Sequence, residues 1–306
     1  MKKFVIKLSF LLFFTFSANS EPIKIPLHNW TSQQVGATLM GMLFQMVGEE
    51  IEFISINSLD VYDSLCDNEI DIVHEIWEGA FGPAFQSQLD KDCAIEIGNH
   101  DINVREGWWY PDYVKELCPG LPDYKALNSC SNIFSLKETG SKGAFISGPK
   151  IWKKNDTNRI RSLGINFEVV HKDTASEIWV ELAKAIKNEK PIIVFNWTPN
   201  FVEAIYEGEF VKFPDFEPAC LEDPTWGKNI FDLYDCGNPL DGYIKIGSSK
   251  NFKENHPRAF EVAKNIKFTN LDISQFAQYP REGLNNKLSA EKWLDNNEDR
   301  WKSWIE

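Results

Sequence analysis

Four short stretches, each an apolar or β-branched run leading to tryptophan, hold the residues of this chain best suited to chemistry. The clearest is Phe195-Asn196-Trp197-Thr198-Pro199-Asn200, which follows the apolar run Pro191-Ile192-Ile193-Val194. A second runs from Ile70 to Glu78 through His74-Glu75-Ile76-Trp77. The others are Asn29-Trp30, after Ile23 to Leu27, and Gly107-Trp108-Trp109-Tyr110, after Asp101 to Val104. Each indole would sit where a strand runs out into a loop, the place where α/β proteins bind ligands. Indoles converging from separate strand ends form an aromatic cage, and such a cage suits a methylated ammonium ion. That cation has no N–H donor to satisfy and is drawn to the negative ring faces by about 0.5–2 kcal/mol per contact. Any one of these indoles could instead be packing a core. Trp179, Trp293, Trp301 and Trp304 lie on helical faces and are expected to pack in this way.

A second chemistry is open to the same residues. His74, Glu75, Glu78 and Glu106 could do acid–base work in a tryptophan-lined cleft, as paired carboxylates do in glycosidases. Against this, His74 and Glu75 fall on a buried strand or its end, the five histidines are scattered, and no Gly-x-Ser-x-Gly or His-Glu-x-x-His pattern occurs. A secreted carboxylate-dependent hydrolase is therefore the alternative, and the leading reading is a binding protein, not an enzyme. No cysteine spacing is CxxC, and Asp223, Asp232 and Asp235 lie in a turn-rich loop, so neither a metal nor a cofactor is expected.

The elements that must position these residues begin after residue 20. Residues 1–20 carry Lys2, Lys3 and Lys7, then an apolar segment from Leu8 to Phe16, then Ala18-Asn19-Ser20, and read as a secretory signal cleaved before Glu21. Loss of those lysines makes the formal charge of −13 still more negative, which disfavours nucleic acid and anionic membranes as partners. The remainder is long enough for one large or two medium α/β domains. Its six cysteines suggest disulfides in an exported protein, with sequential pairing Cys66–Cys93, Cys118–Cys130 and Cys220–Cys236 closing the shortest loops.

Strands at Ile23 to Leu27, Ile51 to Ile56 and Ile70 to Ile76, with helices from Ser32 to Val47 and Leu59 to Asp67 between them, predict a parallel, doubly wound start. From Glu78 to Leu89 a loop and helix are expected, interrupted at Gly82-Pro83. Val104 to Val114 reads as extended and Tyr124 to Phe134 as a helix. A strand at Gly143 to Ile146 leads to a helix containing Trp152. Next come a strand at Phe167 to Val170, an amphipathic helix from Thr174 to Asn188 and the Pro191 to Phe195 strand. Phe210 to Asp241 reads as an irregular loop and Gly242 to Gly247 as a returning strand. Helices are expected over Asn251 to Ile266, Ile273 to Gln278 and Ser289 to Trp304.

Laid out in this order, the whole chain after residue 20 resembles the substrate-binding proteins of ABC importers for glycine betaine, proline betaine, choline and trimethylamine N-oxide. Asn196-Trp197-Thr198-Pro199 is similar to that family's second-lobe turn. Glu75-Ile76-Trp77-Glu78-Gly79 keeps the first-lobe tryptophan but lacks the proline. Glu106-Gly107-Trp108-Trp109-Tyr110-Pro111 resembles the aromatic strand entering the second lobe. Asn29-Trp30-Thr31 is similar to an early tryptophan of the choline and amine-oxide branches, and Glu291-Lys292-Trp293 to Trp304 resembles the family's terminal helix.

The resemblance implies a type II periplasmic binding protein of two α/β lobes, each a doubly wound sheet, hinged by two crossover segments. Residues 21–105 and 241–306 would form one lobe and 106–240 the other. It implies a cage of Trp30, Trp77, Trp108 and Trp197, to which Trp152, Gly148 and Glu106 are added here as candidate ligand-binding residues, in a periplasmic monomer that serves a permease and an ATPase without entering the membrane. Two positions depart from the family pattern: Phe81 stands where the glycine betaine branch has a carboxylate-holding His, and Ser32 where the choline branch has an Asp. The anionic end of the ligand is therefore expected at backbone N–H groups of the Gly148-Pro149-Lys150-Ile151 stretch, Pro149 itself offering none, at the start of a helix. That seat would rank the ligands glycine betaine, trimethylamine N-oxide, then choline.

Overall fold

The computed structural model describes residues 21–152, 154–240 and 242–306, so the signal expected over residues 1–20 lies outside the described residues. Ten strands form among them: β1 (Ile23–Leu27), β2 (Ile51–Ser55), β3 (Ile72–Trp77), β4 (Ala94–Asn99), β5 (Arg105–Pro111), β6 (Gly143–Ser147), β7 (Phe167–His171), β8 (Ile193–Thr198), β9 (Gly208–Phe210) and β10 (Ile244–Ser249).

The expected βαβαβ start is present. The β1 and β2 strands pair in parallel, and Lys24 and Asp71 exchange hydrogen bonds that tie β1 to the start of β3. The returning strand β10 inserts between β3 and β4 and runs antiparallel to both. The second sheet has the order β7-β6-β8-β5-β9; β6 is parallel to β7 and β8, while β5 is antiparallel to β8 and β9. All six residues of β3 and all five of β6 are buried. Strands covered on both faces lose the apolar–polar alternation, as in β6; β3 is covered likewise but buries His74 and Glu75 among its apolar residues. The sheets therefore sort by chain passage. One group uses residues 23–99 and 244–249, the other residues 105–210, and the two connecting passages pair through reciprocal bonds between Val104 and Gly242 of 3.2 and 3.3 Å.

Several elements differ from expectation, each for a local reason. The helix Glu78–Asp90 runs unbroken through Pro83, although a proline inside a helix forfeits the bond to the carbonyl four residues back and crowds it; that carbonyl belongs to Gly79, in the first turn. The segment 124–134 is a chain of single turns, and Pro257 starts a separate helix, Pro257–Asn265, at its favoured first position. Asn297 divides the terminal segment into Asn286–Asn296 and Glu298–Ile305, which fold back so that Trp293 and Trp304 stack at 5.7 Å. The β4 strand was not expected, although Ala94-Ile95-Glu96-Ile97 carries the alternation of a half-buried strand.

The three disulfides join Cys66–Cys93, Cys118–Cys130 and Cys220–Cys236, the sequential pairing, and no free cysteine remains among the described residues. Thiol titration of the denatured, unreduced protein is expected to find no reactive thiol; two or more per chain would contradict the pairing. No helix among the described residues is long and apolar enough to cross a membrane.

Candidate functional site

Tryptophans from both sheet groups meet around one small pocket, whose free interior is about 30 Å³. Trp30 precedes the helix Thr31–Met46, Trp77 is the last residue of β3, Trp197 lies near the end of β8, and Trp152 sits in a short turn after β6. Trp77 and Trp197 meet edge to face at 6.4 Å, Trp30 and Trp152 at 6.3 Å, and Trp152 and Trp197 at 5.7 Å. Such steep angles point ring faces of some residues and edges of others at the enclosed space. Phe81 stacks on Trp30, and Phe195 and Ala80 complete the apolar wall. Trp179 supports Trp197 from behind at 5.1 Å, the packing role expected of it.

The polar wall is an ion pair. Glu106 is the second residue of β5 and the register partner of Trp197 on β8, so the two side chains lie side by side on one sheet face. Its Oε1 meets Lys154 Nζ at 2.5 Å with both side chains about nine-tenths buried, and Lys154 also lies over the Phe195 ring at 4.7 Å. The other Glu106 oxygen reaches the opposite sheet group at Gly79, so close that a β-carbon there would push the carboxylate aside.

Beneath the cage lies a carboxylate that the sequence reading weighed only for catalysis. Glu75 Oε1 accepts hydrogen bonds from Trp30 Nε1 at 2.7 Å, Trp77 Nε1 at 2.8 Å and Ser32 Oγ at 3.1 Å, and the side chain is fully buried. Burial pushes its pKa up to about 7, against the opposing pull of those three donors. Ser32 thus touches the carboxylate that orients the cage. The sequence signal was present, a glutamate inside an apolar strand two residues before its tryptophan, but strand alternation alone does not name its partners.

Two expected members lie elsewhere. Trp108 is fully buried, stacked on Phe145 at 4.0 Å, and its Nε1 donates to Asp156 at 2.8 Å. It faces the same way as Glu106 but two residues deeper into the sheet, about 6–7 Å further from the strand end, and so belongs to the core. Gly148 is behind Trp152, where any side chain would overlap that ring. The expected anion seat is a single 3-10 turn, Lys150–Trp152, whose Trp152 N–H is spent on Pro149. A turn this short sums little dipole, so the polar end of the cavity is Glu106 with Lys154. The acidic loop is also occupied: Asp223 binds Thr225, Asp232 pairs with Arg161, and Asp235 accepts the amides of Lys228 and Asn229.

Residues 21–296 match the model for the substrate-binding domain of ABC-type glycine betaine transport systems. The chain belongs to that family. A trimethylamine N-oxide-binding protein of Pelagibacter ubique (strain HTCC1062) is 34% identical over 292 residues, covering 92% of this chain and 90% of the relative. Two solved members share the fold at low identity. Lactococcal OpuAC, closed around glycine betaine, aligns with a TM-score of 0.71 at 13% identity, over 93% of this chain and 99% of that one. The glycine betaine/L-proline-binding protein of Borrelia burgdorferi aligns with a TM-score of 0.73 at 16% identity, over 94% and 97%. This is the two-lobe α/β fold of type II periplasmic binding proteins, in a family whose members bind substrates for transport.

Proposed function

We propose that the chain captures a methylated amine, its cationic head held by Trp30, Trp77, Trp152 and Trp197, and delivers it to the permease and ATPase of an ABC importer. The observation that carries this reading is the convergence of four indoles, two from each sheet group, on one cavity. Cation–π attraction and the absence of any donor on the ligand head make that wall selective for methylated nitrogen. The lobes divide at 105/106 and 240/241, and closing them brings the two pairs of rings together. Three disulfides fit an exported, periplasmic protein, and it acts as a monomer.

Because the polar end is Lys154 beside Glu106, the expected ligand order shifts. The oxygen of trimethylamine N-oxide sits on the nitrogen itself and needs one donor next to the cage, which Lys154 supplies. A glycine betaine carboxylate extends further and meets the like charge of Glu106, while choline has no anion for Lys154. We therefore put trimethylamine N-oxide first, then glycine betaine, then choline. The 34% identical relative named for trimethylamine N-oxide supports that order. Competition calorimetry of the three ligands tests it. The expected result is tightest binding of trimethylamine N-oxide, reduced about tenfold or more in Lys154→Met while choline changes little. Binding of sugars or unmethylated amino acids in place of all three would overturn the reading.

A further inference from the structure

Glu75 has the surroundings of a charge awaiting a partner. One oxygen collects all three donors, from Trp30, Trp77 and Ser32, while Oε2 is sealed from solvent with no hydrogen-bond partner. No Lys, Arg or His forms an ion pair with it among the described residues, although buried carboxylates ordinarily need one. The two indoles bound to it present their rings to the cavity. Resting on the reading of that cavity as a methylated-cation site, we propose that Glu75 is the buried counter-charge of the bound head. In this role it is a positioning and specificity residue: it fixes both first-lobe indoles, favours charged heads over neutral ones of equal shape, and loses a proton as the cation binds.

The physical steps are short. An indole N–H donating to a carboxylate is polarised so that its ring becomes more electron-rich, which strengthens the attraction to a cation on that ring. A cation beyond the rings in turn stabilises the ionised carboxyl. With its pKa near 7 in the free protein, Glu75 carries a proton over a large part of the time at pH 6.5. Bound cation lowers that pKa and the proton leaves, so affinity rises with pH from about 5.5 to about 8 and then levels.

The neighbouring histidines and tyrosines do not supply this proton. Burial holds His74 well below its ordinary range and His28 down at about 4, so both are neutral there. Burial and the Glu75 charge hold the Tyr62 hydroxyl up and burial raises Tyr243, so neither ionises there; burial raises the Glu78 carboxyl too, and the Glu75→Gln variant separates its proton from that of Glu75. Across the cavity Glu106 and Lys154 are tied to each other, and Arg281, beyond Ser32, lies over Phe201.

The test is calorimetry at pH 6.5 in two buffers of different ionisation enthalpy, using trimethylamine N-oxide, choline and the neutral choline isostere 3,3-dimethylbutan-1-ol. Wild-type protein is expected to release a substantial fraction of one proton per choline bound. Glu75→Gln, which keeps an acceptor for the indoles, is expected to release none and to narrow the preference for choline over its isostere about tenfold. The wild-type proton count needs no variant to fold. Binding without proton release, or release and isostere preference unchanged in Glu75→Gln, would overturn the role of Glu75 and leave the cage standing. Wild-type protein that binds none of the methylated amines would instead overturn the cage reading.

Discussion

Trp197→Ala is expected to weaken binding of trimethylamine N-oxide by two to three orders of magnitude, about 3–4 kcal/mol. The residue is the hub of the wall: it lies against Trp77, Trp152, Trp179 and Phe195 at 5.1 to 6.4 Å. Truncation removes one ring face from the ligand, and it also leaves a void into which Trp152 and Trp179 can lean, spoiling the other walls. Trp197→Phe keeps an aromatic face and should lose only about 1–2 kcal/mol. Calorimetry on both variants checks the ordering; an alanine variant that binds within threefold of wild type would show that the cation sits elsewhere.

The second large effect is on stability. Arg159 is buried, donating to Asp156 at 2.9 Å, to the Cys236 carbonyl at 2.7 Å and to Asn238 at 2.6 Å. Asp156 also receives the Trp108 indole, and Asn238 donates to the Glu106 carbonyl at 3.0 Å. Arg159→Ala strips the buried Asp156 of its charge partner and frees the disulfide-bearing loop at once. Removing one member of such a pair costs about 3–5 kcal/mol, because the remaining charge is uncompensated. Urea denaturation should show the unfolding free energy reduced by that amount and the midpoint lowered with it. Arg159→Lys should recover only part of it, since an ammonium cannot serve the three acceptors in the fork geometry of the guanidinium. A midpoint unchanged in Arg159→Ala would mean that the pair is not holding this lobe.

Much of the fold was legible because period and punctuation agree. Ile23 to Leu27, Phe167 to Val170 and the Thr174-capped helix fall within a residue or so of their expected places. What failed was local competition that pattern does not expose, such as the continuity through Pro83 and the single turns over 124–134. At the site, Trp30, Trp77, Trp152, Trp197 and Glu106 were readable as residues bound for one place. Trp108 was not separable from them, since strand depth decides between core and cavity and a two-residue offset in register is silent in composition. Lys154 gave no signal at all: its meaning comes from Glu106, 48 residues away in the chain.

The pairing of Val104 with Gly242 bears on mechanics as well as architecture. Two independent tethers would let the lobes swing, slide and twist, whereas a pair of passages bonded to each other bends as a narrow ribbon and resists shear. Closure of the proposed lobes would then be confined to something close to a single arc. Along one arc, ligands of different bulk do not choose different closed shapes; they halt the travel at different points. On the proposed function, a head that is too large would stop the rings of Trp77 and Trp197 short of each other, and the transporter would meet a protein that is loaded but not fully shut.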